Sequence, residues 1–560
     1  MKKNISRALL LVLLAVLLPI SALASAYNQK PKVVVIIIVD QLRGDLVERY
    51  HDEFVPGGFR RFMDQGAWFS TCYYQYANTR TAPGHATLGS GTYSLGHGII
   101  NNEWFDPKRG RIVSSVEDDN TTVIGAPIEG FSASPFNLLT DTIGDELKLG
   151  TSGRARVFGI ALKDRAAILP VGYSANAAYW IDKDGGQWIT SSYYMKEAPA
   201  WLLTYNQNGE RAKAMLGKSW KGANGEAVFN TTPQAKADGT MAGFYDTVGP
   251  TPYANDYTIA FAEELMEREN VGSGPVTDLV SVSFSSHDIL GHKKGPDSNE
   301  EHEMMLALDK QIAEFLTWLD QKYGRENIVL ALAADHGIAP VPDFAIKLRM
   351  PAFGFEGKDL VAQLNRMIDQ QLKSTKLAAA RAAAPKPQKP VEVPKYVVSL
   401  DYPFTMLDEH AWEGTKLSEA DAEKMVGELL VKLGLRGFVT KSQLAKAEVP
   451  NTIFARKYLN SYSPHASWYV MGMARPFVVG YSSGTDHEMP YTYDSHIPLA
   501  FAGPMFRPGQ YRETVEPVDL AVTLSSVLGV NPPASAVGRV LHEAFTDAPA
   551  PGATSKGVAQ

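Results

Sequence analysis

Residues Lys32 to Asp40 read Lys-Val-Val-Val-Ile-Ile-Ile-Val-Asp. An unbroken run of β-branched apolar residues, here Val33 to Val39, is typical of a strand that is buried on both faces of a parallel sheet. The run ends abruptly in Asp40, and in open α/β sheets the ligand crevice lies at the carboxyl ends of the strands. Asp40 is therefore either a helix cap or a functional residue.

Three further apolar runs repeat this pattern: Val157–Leu162, Leu279–Phe284 and Ile328–Ala333. Each is followed closely by charged residues or histidine. Between the last two, apolar residues recur at steps of three and four, as in an amphipathic helix that packs on a core: Met305, Leu308, Ile312, Leu316 and Leu319. Alternating strands and helices predict a doubly wound α/β fold, a three-layer αβα sandwich around a mostly parallel sheet.

The composition of the 560-residue chain is that of an ordinary globular protein, with 45% hydrophobic and 21% charged residues. The net charge of −7 gives no reason to expect a nucleic-acid partner. Cys72 is the one cysteine, so no internal disulfide is expected. The sequence does not indicate an oligomeric state.

The first 26 residues read as a secretory signal peptide. Lys2, Lys3 and Arg7 precede an apolar stretch from Ala8 to Ile20, and small residues up to Ala26 offer cleavage sites. The stretch is short for a membrane anchor, so no stable membrane insertion is expected. We therefore expect an exported protein that is periplasmic or secreted.

Residues 27–560 are expected to form one large domain with two insertions, at about 174–250 and about 341–475. The first segment is rich in Tyr, Trp, Gly and Asn and has weak periodicity. The second contains a helix-like segment, Glu419–Leu435, in a part expected to form a lobe over the site. It also contains an Ala-, Pro- and Lys-rich stretch from Ala378 to Lys395, which predicts an exposed linker.

Residues Asn78 to Ala86 read Asn-Thr-Arg-Thr-Ala-Pro-Gly-His-Ala. Because proline is favoured in the first turn of a helix and threonine is a common N-cap, this stretch predicts a short helix with Thr81 at its start. The helix dipole and the unpaired backbone N–H groups favour an anion there. An ordinary capping threonine gives the same local pattern, so the choice depends on the acidic strand ends.

Asp288 and His292 are four residues apart just after one strand, where a helical turn brings both side chains to one face. Asp335 and His336 are adjacent at the end of another strand. With Asp40 and a further histidine, they make two clusters of oxygen and nitrogen ligands without sulfur. Such clusters suit zinc or a similar divalent ion, and paired metals suit phosphoryl chemistry. A single Asp-His pair is a weak signal, but several at one sheet edge favour a functional site.

In combination the motifs resemble the alkaline phosphatase superfamily, and more narrowly the bacterial PafA-type alkaline phosphatases with a threonine nucleophile. The residues that carry the resemblance are Asp40, Thr81, Asn102, Lys163, Arg165, Asp288, His292, Asp335 and His336. The resemblance continues to the tail, through Val518–Leu524 and Gly538–Leu541. It implies an alkaline-phosphatase-like fold with inserted cap segments, and a zinc-dependent enzyme that hydrolyses small-molecule phosphate monoesters.

The resemblance also implies a role for each matched residue. Thr81 is expected to be the nucleophile that forms a phosphothreonine intermediate. Two Zn²⁺ ions per chain are expected, one held by Asp288, His292 and a late histidine, and the other by Asp40, Asp335, His336 and the Thr81 oxygen. The phosphoryl oxygens are expected to be held by Asn102, Lys163 and Arg165.

The late histidine is His487 or His496. His487 stands in Gly-Thr-Asp-His-Glu, which resembles a Gly-Thr-x-His-Gly signature but has Glu488 where glycine is usual. His496 follows nine residues later in Tyr-Asp-Ser-His-Ile-Pro. Related two-metal enzymes place the ligand before the Tyr-Asp element, so His487 is preferred, and His496 is then a substrate-edge or structural residue.

Other functions on the same fold remain as alternatives: a phosphodiesterase or nucleotide pyrophosphatase, a sulfatase, and a non-catalytic metal- or phosphate-binding protein. A sulfatase would be expected to have Cys or Ser at the nucleophile position, where this chain has Thr81. A diesterase must make room for a second ester group, whereas Lys163, Arg165 and Asn102 match a dianionic monoester. The monoesterase is therefore the preferred prediction.

Overall fold

The structure is a computed structural model, and it describes residues 30–128, 130–222, 224–236, 239–354, 357–374, 395–480 and 484–546. The predicted signal peptide, residues 1–26, lies outside these ranges, as does the predicted linker except for Lys395.

The strands are numbered in chain order. They are β1 Val33–Val39, β2 Ala67–Tyr73, β3 Glu103–Asp106, β4 Arg111–Ser114, β5 Glu117–Ile124, β6 Phe131–Ala133, β7 Val157–Ala161, β8 Ala177–Ile181, β9 Trp188–Ser191, β10 Ser219–Lys221, β11 Ala227–Asn230, β12 Asp278–Phe284, β13 Ile328–Ala333, β14 Phe353–Gly354, β15 Val397–Asp401, β16 Phe404–Leu407, β17 Gly437–Thr440, β18 Tyr469–Met473, β19 Val478–Val479, β20 His496–Ala502 and β21 Gly509–Tyr511.

The α-helices are numbered in the same way. They are α1 Gly44–Arg49, α2 Phe59–Gln65, α3 Thr81–Ser90, α4 Ser94–His97, α5 Ile143–Gly150, α6 Asp164–Ile168, α7 Ala200–Asn206, α8 Glu210–Lys213, α9 Phe244–Thr247, α10 Pro252–Arg268, α11 Ser286–Lys294, α12 Asn299–Tyr323, α13 Pro342–Lys347, α14 Gly357–Ser374, α15 Glu409–Glu413, α16 Glu419–Lys432, α17 Lys441–Ala445, α18 Ile453–Asn460, α19 Thr492–Ser495 and α20 Asp519–Leu528.

The central sheet has eleven strands in the order β21-β2-β20-β13-β1-β12-β7-β8-β9-β5-β6. All seven residues of β1 are buried, and the strand pairs in parallel with β12 on one side and β13 on the other. Strands β7 and β8 continue the parallel part beyond β12. The prediction of a mostly parallel sheet built on four apolar strands is confirmed.

Helices flank the sheet in two groups whose members pack on one another. One group contains α10, α11 and α12, and the other contains α3, α5, α6 and α20. The predicted amphipathic helix is α12, and its buried residues include all five positions of the predicted apolar stripe. The architecture is therefore the predicted three-layer α/β sandwich.

The segment at about 174–250 is not wholly separate from this sandwich. Strands β8 and β9 belong to the central sheet, because β8 pairs in parallel with β7 and β9 pairs with β8. Only the part after β9 lies outside the sheet, with β10 and β11 as a separate two-stranded pair. Sequence patterns did not predict β8, whose five buried residues include only one β-branched residue, Ile181.

The segment at about 341–475 contains a second, four-stranded sheet in the order β15-β16-β18-β17. Helices α14 and α16 pack on it and share an apolar cluster that contains Leu364, Val426 and Trp468. The predicted helix 419–435 is observed as α16, which begins at Glu419 and ends at Lys432. Asp401, at the end of β15, brings this lobe to the edge of the cavity described below.

Candidate active site

The functional residues predicted at the strand ends meet at one edge of the central sheet. Strands β13, β1, β12 and β7 are consecutive parallel neighbours, so the residues after them lie side by side. Asp335, Asp40, Asp288 and Lys163 follow these strands, and all four are at most 3% exposed. Buried charges are expensive unless they are paired or bind ions, so this edge is built for a charged ligand.

Thr81 is the first residue of helix α3, and Arg80 occupies the N-cap position. The predicted short helix with Thr81 at its start is thus confirmed, and Thr81 is not the capping residue of the alternative interpretation. The Oδ1 atom of Asn102 accepts a hydrogen bond from the Ala82 backbone N–H at 2.8 Å, and this contact supplies the cap. The Thr81 hydroxyl is therefore not used in capping.

Helix α3 lies directly against the end of β13. A Cβ atom on Gly84 would come within 2.3 Å of the Asp335 carbonyl oxygen, so only glycine permits this approach. His85 lies one helical turn after Thr81. Its Nδ1 donates to the Thr81 carbonyl at 2.9 Å, and its Nε2 lies 2.8 Å from Ser283 Oγ. A carbonyl only accepts, so Nδ1 carries the proton and His85 links the start of α3 to β12.

Three histidines are held in the same tautomer by backbone carbonyls. His292 Nδ1 lies 3.0 Å from the Thr485 carbonyl oxygen, and His336 Nδ1 lies 2.9 Å from the Gly337 carbonyl oxygen. His487 Nδ1 lies 2.7 Å from the Thr79 carbonyl oxygen. Since Nδ1 donates in each ring, the lone pair is on Nε2. This is how metal-binding histidines are commonly oriented.

The carboxylates around these rings outnumber the nearby cation. Lys163 Nζ lies 2.6 Å from Asp40 Oδ2, 2.5 Å from Asp288 Oδ2 and 3.5 Å from Thr81 Oγ1. Burial raises the pKa of Asp40, and the neighbouring Asp288 and Asp335 raise it further, against the effect of Lys163. Lys163 thus contacts two of the three buried carboxylates, and the excess of negative charge around it suits bound cations.

Two groups of residues each bring three ligand atoms within 4.8 Å of one another. One group is Asp288, His292 and His487, and the other is Asp40, Asp288 and His336. The first group is the set predicted for one metal. Of the second predicted set, Asp40 and His336 come together, and Asp335 Oδ2 lies 3.5 Å from His336 Nε2. Asp288 lies between the two groups and belongs to both.

Two buried atoms of the second predicted set, Asp40 Oδ1 and His336 Nε2, have no hydrogen-bond partner among the described residues, and Asp335 Oδ2 lies 3.2 Å from His85 Nδ1. Buried polar atoms without partners are costly. Carboxylate oxygens and imidazole nitrogens are also ligands that zinc prefers. The residues present therefore fit a divalent metal.

The predicted anion-binding residues lie around the same cavity. Lys163 is engaged with Asp40 and Asp288, as described above. Arg165 lies in the first turn of α6, with Nη1 3.6 Å from Asp164 Oδ1, and its buried Nε has no hydrogen-bond partner among the described residues. Asn102 uses Oδ1 in the contact with α3, which leaves the donor end of its amide for an anion.

A cavity of about 580 Å³ opens over these residues. Sequence reasoning identified seven of its lining residues: Thr81, Asn102, Lys163, Arg165, Asp288, His292 and His487. It missed Arg80, Tyr245, Ile289, Lys293, Asp401, Gly480, Asp486 and Glu488 as cavity residues. Tyr245 lies in the poorly periodic segment and Asp401 in the second sheet, so nothing local could have placed either of them here.

The structure separates the two candidate late histidines. His487 lines the cavity, its ring stacks on His336 with centroids 3.7 Å apart, and its Nε2 lies 3.9 Å from Asp288 Oδ1. His496 lies at the start of β20, where Nε2 bonds to the Ser70 carbonyl at 2.9 Å and the ring stacks on Tyr73. The geometry favours His487 as the ligand and gives His496 a structural position.

Comparison with known proteins identifies the class. A family model described as type I phosphodiesterase / nucleotide pyrophosphatase matches residues 34–395. The chain belongs to this family, which lies within the alkaline phosphatase superfamily. The predicted superfamily is confirmed.

Two relatives and one solved structure make the similarity more specific. The chain is 32% identical to a protein of Myroides odoratus named calcium-transporting ATPase, over 94% of this chain and 96% of that protein. It is 29% identical to alkaline phosphatase PafA of Elizabethkingia meningoseptica, over 92% of this chain and 94% of that protein. The crystal structure of wild-type PafA superposes with a TM-score of 0.79 at 28% identity, covering 92% of this chain and 99% of that one. The predicted resemblance to PafA-type proteins is thus confirmed.

Proposed function

We propose that this protein is an alkaline phosphatase that hydrolyses phosphate monoesters through a phosphothreonine at Thr81. The observation that carries the proposal is the position of the Thr81 hydroxyl. It lies at the start of a helix, 3.5 Å from Lys163 Nζ, beside two groups of metal-ligand atoms. The similarity to alkaline phosphatase PafA over nearly the whole chain supports the same reaction.

The residues present fit two Zn²⁺ ions per chain. We assign Asp288, His292 and His487 to one ion and Asp40, Asp335, His336 and the Thr81 oxygen to the other. Bound zinc lowers the pKa of a coordinated hydroxyl or water and offsets negative charge on phosphoryl and leaving-group oxygens.

The chain's own residues then account for binding and orientation. Arg165 and the Asn102 amide are placed to donate hydrogen bonds to phosphoryl oxygens, and Lys163 supplies positive charge next to Thr81. The Thr81 oxygen attacks phosphorus, the bond from phosphorus to the alcohol oxygen breaks, and the alcohol leaves with a proton. Water then attacks the phosphothreonine, which releases inorganic phosphate and restores the hydroxyl.

The proposed function is tested by turnover of an aryl phosphate against its methyl aryl diester, with and without added zinc. We expect the monoester to be preferred, two zinc ions per chain by elemental analysis, and loss of activity with a chelator. Cys72 is the one cysteine, so no internal disulfide stabilises the chain and bound metal should contribute to its stability. Chelation should therefore also lower the melting temperature. A chain that is active with one ion or none would contradict the metal assignment.

A phosphodiesterase is the second candidate, because the matching family model is described as a type I phosphodiesterase / nucleotide pyrophosphatase. The same assay separates the two, since a preference for the diester would establish this alternative. Absence of turnover of both substrates by the zinc-loaded protein would support a binding protein.

Replacing Arg165 by Ala should lower kcat/KM for a monoester by about 30- to 1,000-fold, and for a diester by less. The monoester carries more negative charge, so losing one charge-assisted contact in a water-poor site costs it more, roughly 2–4 kcal/mol. Arg268→Ala is the matched control, since that exposed arginine pairs with Glu264 on helix α10. Equal losses on both substrates would mean that Arg165 supports the fold and not the anion.

Export is proposed from the sequence of residues 1–26. Among the described residues, no helix combines the length and the apolar character that a bilayer span requires. Mass spectrometry of the mature protein should find an N-terminus near residue 25 or 27, and an intact Met1 would contradict cleavage.

A further inference from the structure

Glu488 is held in a backbone conformation that residues other than glycine rarely adopt, with φ of +100°. The signature described above has glycine at this position, which accepts such a conformation without strain. A strained residue persists where its surroundings hold it, and such residues concentrate at functional sites. Glu488 follows His487 directly and lines the cavity.

The contacts of Glu488 join it to the segment that leads to Thr81. Its backbone N–H donates to Thr79 Oγ1 at 3.2 Å, next to the contact between His487 Nδ1 and the Thr79 oxygen. Its carboxylate forms an ion pair with Arg80, the residue before Thr81. Glu488 is 5% exposed. Both its backbone and its side chain contact the residues that lead into α3.

Arg80 is shared between two carboxylates. Its Nη2 contacts Glu488 Oε1 and also Asp401 Oδ1, at the end of β15 in the second sheet. Asp401 Oδ2 accepts a further bond from Asn101 Nδ2 at 2.7 Å, which fixes the group in place. Two carboxylates on one guanidinium offset its charge, so the wall formed by Asp401, Arg80 and Glu488 is not a cationic surface.

The cavity is much larger than a phosphoryl group requires. Thr81, Asn102, Lys163 and Arg165 take up the phosphoryl group under the proposed function. The alcohol of the substrate must then occupy the remaining space, and the charged lining residues left for its walls are Arg80, Lys293, Asp401, Asp486 and Glu488, three acidic and two basic.

We propose that Glu488 is a specificity-determining residue. By pairing with Arg80 beside Asp401, it makes the alcohol side of the cavity unfavourable for a second anionic group. It favours phosphate monoesters of neutral or cationic alcohols over monoesters whose alcohol carries a carboxylate or another phosphate. The inference rests on the proposed phosphatase function and names the substrate class for it.

The test uses three aryl phosphates of similar size at pH 9: phenyl phosphate, 3-carboxyphenyl phosphate and 3-(aminomethyl)phenyl phosphate. Variants Glu488→Gln and Glu488→Gly both remove the carboxylate, and glycine also removes the backbone strain. Comparing each variant with wild type on each substrate cancels differences in leaving-group reactivity. The control is Glu428→Gln, which changes a half-exposed carboxylate on α16.

We expect both variants to raise the ratio of kcat/KM for the carboxylated substrate to that for phenyl phosphate by about 5- to 30-fold. That is the range for one charge at several ångströms in a partly screened site. The ratio for the aminomethyl substrate should fall, and the control should leave both ratios unchanged. Glu488→Gly should keep its melting temperature, because glycine suits the φ angle.

Unchanged ratios in both variants, or an equal loss on all three substrates, would overturn the inference and reduce Glu488 to a structural role. If wild-type protein loaded with zinc does not turn over phenyl phosphate, the proposed phosphatase function fails instead. The two failures are therefore distinguishable in one set of measurements.

Discussion

Replacing Thr81 by Ala should lower kcat for phosphate monoesters by about 10⁴-fold or more, because the reaction loses its nucleophile. Bound metal and fold should persist, since the helix start is capped by Asn102 and not by the Thr81 hydroxyl. We therefore expect the free energy of unfolding to change by less than about 1 kcal/mol.

The control for this variant is Thr317→Ala. The Thr317 hydroxyl donates to the Ala313 carbonyl on the exposed face of α12, and Thr317 is not among the residues that line the cavity. Acid quenching of wild-type enzyme during turnover of a radiolabelled monoester should trap phosphate on Thr81. Label recovered on a different residue would rule out Thr81 as the nucleophile.

The second large effect concerns the late histidine. His487→Ala should lose one metal ion per chain and reduce activity by about 10³-fold, more than the 10- to 100-fold typical of residues that only orient a ligand. The reason is that His487 Nδ1 donates to the Thr79 carbonyl oxygen, which leaves the Nε2 lone pair available for a metal. Nε2 lies 3.9 Å from Asp288 Oδ1, an atom of the same ligand group.

His496→Ala is the matched comparison. It removes the bond to the Ser70 carbonyl and the stacking on Tyr73, so we expect a loss of roughly 1–2 kcal/mol in the free energy of unfolding and full metal content. Elemental analysis of both variants decides the assignment. Loss of metal in His496→Ala with full occupancy in His487→Ala would reverse it.

Several features of the site were predictable because they depend on short-range patterns. The β-branched run from Val33 to Val39 predicted a doubly buried strand, and parallel strands place the residues after them at one edge. Asp40, Lys163, Asp288 and Asp335 could therefore be expected together without knowledge of any contact. The order of the motifs then indicated the superfamily.

Another part of the cavity lining was not predictable in this way. Tyr245, Asp401 and Glu488 come from a short helix, the second sheet and a loop, and each reaches the cavity through contacts between segments distant in sequence. The pairing of Arg80 with both Asp401 and Glu488 joins positions separated by about 320 and 410 residues. No local pattern encodes such contacts.

By itself the sequence determined the parallel core, the edge at which the charged residues collect and the superfamily, because strand burial and motif spacing are local properties. The tertiary structure decided which histidine faces the metal-ligand atoms and which atom of each ring is available. It also showed that Asn102 rather than Thr81 caps α3 and that the second sheet supplies Asp401 to the cavity wall. These depend on how distant segments pack, and packing is a property of the folded chain as a whole.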